Sequence, residues 1–317
     1  MSARITMIGT GYVGLTSGAC LADLGHDVIC VDRNPARIEA LLAGRMPIYE
    51  PGLEELVARN IAAGRLRFSL NLAESVRQRD AVLITVGTPM GDASGHVDLS
   101  QVLDAAAEIA AAIEDFTVVV TKSTVPVGTN RIIAGLAGCY LRGNAGMAVA
   151  SNPEFLREGA AIADFMQPDR VVVGADDQRA VDMMRQIYAP LVNDRIPFVT
   201  TSIETAELIK YAANAFLAVK VSFINKMSDL CEVLGADITD VARGIGLDKR
   251  IGSAFLQVGP GWGGSCFPKD TRALKAAASD AGVPSLVVEA AIAANTARKK
   301  DMARRIVEAC GGDVARK

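Results

Sequence analysis

The stretch Gly9-Thr10-Gly11-Tyr12-Val13-Gly14 constrains this chain more than any other. It follows the apolar run Ile5-Thr6-Met7-Ile8 and opens a helical stretch from Val13 to Leu24. A second apolar run, Val28-Ile29-Cys30-Val31, ends on Asp32, 18 residues beyond Gly14. The first two glycines permit a tight turn and let the backbone approach a pyrophosphate. The third lets helix and strand pack closely, and the helix N-terminus offers free N–H groups to phosphates. The same spelling also fits a tight turn without a ligand. Between a strand and a helix, with an acid closing the next strand, it specifies a dinucleotide site that takes in Tyr12 and Val13. Asp32 would accept hydrogen bonds from ribose hydroxyls and repel a 2′-phosphate, which favours NAD over NADP. Arg33 and Arg37 lie near enough to keep NADP open.

Further short runs follow: 81–86, 117–121, 147–150, 171–174 and 197–200. They are apolar on both faces and alternate with helical patterns, which predicts an α/β fold with a doubly wound, mostly parallel, Rossmann-like sheet. Two loops follow strand ends in this stretch: Val86-Gly87-Thr88-Pro89, and Lys122 to Gly128 with Thr124 at its centre. Ligands sit at such ends in open sheets, although each loop alone also reads as an ordinary turn.

The character changes after about residue 200. Ile209, Ala213, Phe216, Phe223, Met227, Leu230 and Leu234 recur at helical spacings, and no proline occurs between Pro197 and Pro260. This predicts one long helix over 203–235, ended by Gly235, whose apolar stripe needs a second domain or a second subunit. Helices are also predicted over 271–281 and 286–309. The domain reading is a dinucleotide-binding domain at 1–201 and a helical central domain for dimerisation at 202–317.

Between the last helices lies Gly259-Pro-Gly-Trp-Gly-Gly-Ser-Cys-Phe-Pro-Lys-Asp270. Pro268 suits a helix's first turn, which puts Cys266 at a helix N-terminus. There the free N–H groups and macrodipole stabilise a thiolate, Lys269 adds positive charge, and the glycines leave the sulfur accessible. A buried, inert thiol beside a flexible turn is the plainer alternative. Trp262, the sole tryptophan, would wall a pocket. Lys210 and Asn214 stand at i and i+4 on the long helix with Glu207 one turn before; alone, Glu207 and Lys210 read as a surface pair. Ser151 to Gly159 carries Glu154 and Glu158 after a strand and, alone, reads as a solvated loop. Together these pieces suit one chemistry. Hydride leaves an alcohol, the thiol traps the aldehyde, a second hydride leaves to give a thioester, and water releases an acid.

Composition excludes other classes. With a net charge of −3 and two histidines, His26 and His96, the 317-residue chain offers no basic footprint for nucleic acid and no His-based zinc site or Ser-His-Asp triad. No metal is expected. The six cysteines form no CxxC pair and no apolar run spans a membrane, which is read as a cytoplasmic location.

Several stretches together resemble the nucleotide-sugar dehydrogenases of the UDP-glucose/GDP-mannose dehydrogenase family, and within it the UDP-glucose 6-dehydrogenases. They are 9–15, Tyr49-Glu-Pro-Gly-Leu53, Gly87-Thr-Pro89, Lys122 to Thr129, Asn152 to Gly159, Glu204 to Phe216, Arg250-Ile-Gly252 and Gly263 to Asp270. The resemblance covers residues 1 to about 300. It implies a four-electron oxidation of UDP-glucose to UDP-glucuronate with two NAD. It also implies roles. Cys266 is the nucleophile; Lys210 and Asn214 hold the oxyanion and water, and Asp270 supports Lys210 and the water. Glu154 serves thioester hydrolysis. Thr124 and Glu158 lie near nicotinamide and substrate. Phe155, Leu156 and Arg157 line the sugar-nucleotide site, and the loop from Gln257 through Gly259 and Gly261 to Gly263 covers it. Arg250 reaches a neighbouring subunit's site, and the long helix forms a homodimer core. GDP-mannose or UDP-N-acetylmannosamine oxidation is the sibling reading. A two-electron hydroxyacid dehydrogenase would have no use for Cys266. A non-catalytic fragment that binds NAD and dimerises is the reading from another class. The family carries a third, UDP-binding portion, and this chain stops at Lys317, about where that portion would begin.

Overall fold

The computed structural model describes residues 2–91, 95–192 and 195–312. The elements run β1 (Arg4–Ile8), α1 (Tyr12–Asp23), β2 (Asp27–Val31), α2 (Pro35–Leu42), α3 (Leu53–Ala62), β3 (Leu66–Ser69), α4 (Leu72–Val76), β4 (Ala81–Ile84), α5 (Ser100–Ala112), β5 (Thr117–Thr121), α6 (Thr129–Tyr140), β6 (Met147–Ser151), α7 (Ala161–Met166), β7 (Val171–Ala175), α8 (Gln178–Tyr188), β8 (Phe198–Thr201), α9 (Ile203–Leu234), α10 (Ile238–Gly246), α11 (Phe267–Asp280) and α12 (Leu286–Ala309). The chain divides into two compact units, Met1–Pro89 with Val97–Lys210, and Met90–His96 with Tyr211–Lys317.

The first unit is an eight-stranded sheet in the order β3-β2-β1-β4-β5-β6-β7-β8. All neighbours are parallel except β6 and β7, where Ala150 faces Ala175 and Ser151 faces Gly174 in antiparallel pairing. The first six strands follow the doubly wound order of dinucleotide-binding sheets, with its reversal between β1 and β4. Side chains alternate between two cores. Val118 and Val120 of β5 pack with Met7, Leu83 and Leu15 on one face; Val119 packs with Ile84, Val102 and Ile133 on the other. Burial on both faces is why the inner strands read as unbroken apolar runs; β8, at one edge, reads the same way, yet its Val199 and Thr200 are exposed. Strand β3, Leu-Arg-Phe-Ser, is absent from the sequence reading. It is an edge strand with only Leu66 buried, and it carries no such run.

The second unit is helical. From Tyr211 onward α9 buries Tyr211, Ala215, Ala218, Ser222, Ile224, Asn225, Ser228 and Cys231. The large apolar residues of the predicted stripe instead face outward: Phe216, Phe223 and Leu230, seven residues apart, are 64%, 50% and 48% exposed. No helix among the described residues is long and apolar enough to cross a membrane.

Candidate functional site

In the first unit the glycine turn joins β1 to α1. Gly9 has φ +103°, and a Cβ there would lie 2.9 Å from the Thr85 carbonyl oxygen. A Cβ on Gly14 would lie 1.9 Å from the Gly9 carbonyl oxygen and 2.5 Å from Thr85 Oγ1, so the turn and helix close only around glycine. A Cβ on Gly11 would meet nothing within 4 Å, which leaves open space against the backbone where a pyrophosphate would lie. Gly11 is also the N-cap of α1, and no side chain caps that end. Uncapped N–H groups with open space before them fit a dinucleotide.

These features give separable expectations. Gly14→Ala should lower NAD affinity about tenfold or more in a titration and destabilise the ligand-free protein. Gly11→Ala should lower affinity while leaving the ligand-free melting temperature unchanged.

Asp32 ends β2. Its Oδ2 accepts from Thr10 N at 2.9 Å, Thr10 Oγ1 at 2.7 Å and Arg37 NH1 at 3.0 Å; Oδ1 accepts from Asn34 N at 3.0 Å. Partial burial pushes its pKa up, but these hydrogen bonds outweigh that and hold the carboxyl below its ordinary range. Arg33 pairs with Glu108 and Arg37 with Asp32 itself, so neither guanidinium stands unpaired.

Tyr12 leads to Glu50, which the sequence placed in the Tyr49–Leu53 stretch without giving it a role. The Tyr12 hydroxyl donates to Glu50 Oε2 and accepts from Gly159 N at 2.8 Å, and burial, then the Glu50 bond, pushes its pKa up. Buried Glu50 also accepts from Gly159 N and Ala161 N, both at 2.8 Å. One carboxylate therefore ties the glycine turn to the start of α7, beside the segment that carries Glu154 and Glu158.

That segment is not a solvated loop at its start. Asn152 and Glu154 are buried, whereas Phe155 and Leu156 are half-buried and Arg157 and Glu158 exposed. Glu154 Oε2 accepts from Leu156 N at 2.6 Å, and Oε1 lies 3.0 Å from Lys210 Nζ. Lys210 and Glu154 are 4% and 7% exposed. The surface pair of Glu207 with Lys210 does not form. Glu207 turns to the N-terminus of α6, accepting from Gly128 N, Asn130 N and Asn130 Nδ2 at 2.6, 2.9 and 2.7 Å. Burial pushes its pKa up against those bonds. A second buried ammonium, Lys122 Nζ, bonds Asn152 Oδ1 at 3.1 Å and Tyr188 Oη at 3.2 Å. The Thr88 hydroxyl donates to the Thr124 carbonyl at 3.0 Å, joining the loops after β4 and β5, while Pro89 is exposed.

In the second unit Cys266 is the N-cap of α11, with a proline in the first turn. It is partly exposed, with Ser265 Oγ 3.5 Å from its sulfur. In contrast, Cys20 and Cys30 are buried in the first unit, where burial pushes their thiols up to about 12. Asp270, one turn into α11, is 1% exposed. Its Oδ2 accepts from Asn214 Nδ2 at 2.6 Å, and Lys269 Nζ lies 2.7 Å from Oδ1, though not angled as a hydrogen bond. Gln257 and Gly263 are exposed, and Gly259 and Gly261 half-buried. Arg250 is exposed and paired with Asp248. Each unit thus assembles part of the predicted set: the glycine turn, Asp32, Glu154 and Lys210 in the first, and Asn214, Cys266, Lys269 and Asp270 in the second.

Residues 3–192 match the NAD binding domain of the UDP-glucose/GDP-mannose dehydrogenase family, and residues 204–297 its central domain. The chain is 56% identical over 313 residues to a UDP-glucose 6-dehydrogenase of Rhizobium meliloti (strain 1021), covering 98% of this chain and 71% of that protein. It is 52% identical over 271 residues to one of Bacillus subtilis (strain 168), covering 86% of this chain and 61% of that one. A solved UDP-glucose dehydrogenase from the hyperthermophilic archaeon Pyrobaculum islandicum superposes with a TM-score of 0.93 at 40% identity, covering 98% of this chain and 72% of that one. The chain belongs to the UDP-glucose/GDP-mannose dehydrogenase family, with that family's NAD binding domain followed by its central domain.

Proposed function

We infer that the chain catalyses the oxidation of UDP-glucose to UDP-glucuronate with NAD, through a covalent intermediate on Cys266. The observation that carries this reading is the partly exposed thiol at the N-terminus of α11, one turn from a buried aspartate held by Asn214 and Lys269. When bound at the glycine turn and Asp32, NAD would supply the hydride acceptor, and the two oxidations would consume two NAD in turn.

The residues supply the rest. The C6 alcohol of the glucose loses a hydride and a proton and becomes an aldehyde. The Cys266 sulfur adds to the aldehyde carbon to give a thiohemiacetal, and the Lys210 ammonium and Asn214 amide stabilise the oxygen's developing charge. Loss of the second hydride leaves a thioester. Water, positioned by Asp270 and deprotonated by Glu154, adds to the thioester carbon; the C–S bond breaks, and the thiol and a carboxylate result. Thr124 and Glu158 would border the nicotinamide. Phe155, Leu156, Arg157 and the 257–263 loop would border the sugar nucleotide, and Arg250 a neighbouring subunit's site. The domains would be 1–201 and 202–317.

The test is the number of NADH formed per UDP-glucose with NAD in excess, with GDP-mannose as the alternative substrate. Two NADH per sugar and a uronate product support the reading. One NADH with a released aldehyde, or faster turnover of GDP-mannose, overturns it.

We further propose a homodimer through α9, where Phe216, Phe223 and Leu230 form an exposed apolar stripe at seven-residue spacing. Phe223→Glu should convert a dimeric sedimentation profile to a monomeric one without loss of helicity; an unchanged profile would rule out this face. All six cysteines are free, which supports a reducing compartment such as the cytoplasm.

A further inference from the structure

The backbone leading to Cys266 is held by side chains from two helices of its own unit. Asn295 of α12 meets both polar backbone groups of Trp262: Oδ1 accepts from Trp262 N at 2.8 Å, and Nδ2 donates to Trp262 O at 2.9 Å. Asn225 Oδ1 of α9 accepts from Gly259 N at 2.9 Å, and Arg298 Nε of α12 donates to Gly259 O at 3.1 Å. Arg298 is itself fixed by an ion pair with Asp229. The Trp262 indole Nε1 donates to Ser222 Oγ at 2.8 Å. Ser222, Asn225, Trp262, Asn295 and Arg298 are all buried.

Gly261 explains how Asn295 comes so close. Its φ is +123°, and a Cβ there would lie 2.7 Å from Asn295 Oδ1. A buried amide needs partners for both ends, and an apolar residue of similar size would fill the space without that demand. At Asn295 both ends are spent on the backbone of a single loop residue, so the side chain defines that loop's conformation.

We propose that Asn295 is a positioning residue for the thiol. It fixes Trp262, and with Asn225 and Arg298 it fixes the Gly259–Gly263 backbone, so that Cys266 is presented and the substrate loop is shaped. Asn295 acts through Trp262 and touches no reacting atom. The proposal rests on the reading of Cys266 as the nucleophile.

The experiment compares the full chain with Asn295→Ala and with Asn225→Ala, the milder loss should the first variant fold poorly. Three quantities are read: KM for UDP-glucose against Kd for NAD; the rate at which iodoacetamide modifies Cys266, by mass spectrometry with exposed Cys139 as the internal reference; and the emission of Trp262, the sole tryptophan. Loss of two neutral hydrogen bonds raises the population of the open loop by about ten- to a hundredfold. In Asn295→Ala the KM for UDP-glucose should accordingly rise about tenfold, and Cys266 modification should quicken about fivefold or more relative to Cys139. Trp262 emission should shift to the red. NAD affinity should stay within about twofold, because the glycine turn lies in the other unit. Asn225→Ala should give the same pattern at a smaller amplitude.

A lowered melting temperature in both variants, with KM and relative Cys266 modification within twofold of the parent, would make the bracket merely structural and overturn the proposal. If the parent chain does not oxidise UDP-glucose, the proposed function fails. The modification and emission arms still decide the role of Asn295.

Discussion

Replacing Cys266 by alanine is expected to lower NADH production from UDP-glucose by a factor of about 10⁴ or more, with NAD affinity within about twofold of the parent. The asymmetry follows from the chemistry. Alcohol and aldehyde interconvert reversibly, and the equilibrium at neutral pH favours the alcohol. The aldehyde C–H also leaves as hydride only once a nucleophile has added to the carbon. Without the sulfur, the first oxidation stalls against its own reversal and the second must wait on addition of water, a poorer nucleophile. The glycine turn and Asp32 are untouched by the change, since they belong to the first unit. Cys266→Ser should retain a trace of turnover, because a hydroxyl oxygen is a far weaker nucleophile than a cysteine sulfur. An absorbance assay for NADH beside a calorimetric titration with NAD separates catalysis from binding. Alanine at 266 with more than a tenth of the parent rate would remove the covalent route.

The parts of this molecule that could be read from the sequence are those whose cause is local. The glycine turn is spelled by positions five residues apart, and its reason, a Cβ on Gly14 colliding with Gly9, lies within the turn. The inner sheet was legible because strands buried on both faces must be apolar throughout; at the edges that signature is not required, and β3 lacks it whereas β8 shows it in part while lying exposed. The helix start at Cys266 was legible from Pro268. What escaped the sequence depends on pairs far apart in the chain. Glu50 reaches the start of α7 across more than a hundred residues, and Glu207 finds its partners at Gly128 and Asn130. Spacing on α9 suggested that Glu207 and Lys210 would meet at the surface. Burial of both changes the outcome, because each charge then needs partners closer and better aligned than a helical neighbour supplies.

The Lys210–Glu154 pair should show its cost and its value in separate measurements. Both side chains are almost wholly buried, with Nζ 3.0 Å from Oε1. Lys210→Ala strands the Glu154 carboxylate away from water with only the Leu156 N–H on its other oxygen. Breaking one side of a buried pair costs about 3–5 kcal/mol, or roughly 10 °C of melting temperature for a unit of this size. Removing both charges behaves differently. In Lys210→Met with Glu154→Leu the desolvation penalty disappears with the attraction, so most of the lost stability should return. Activity should not return in any of these variants, because the oxyanion partner and the hydrolytic base are gone. Lys210→Arg tests the same division from the other side. It keeps a cation for Glu154 and should unfold nearer the parent than Lys210→Ala, yet its longer planar head should leave turnover depressed. A double variant as unstable as Lys210→Ala would show that the pair itself, rather than the avoidance of a stranded charge, stabilises the fold. A Lys210→Arg variant with parental turnover would remove Lys210 from the chemistry.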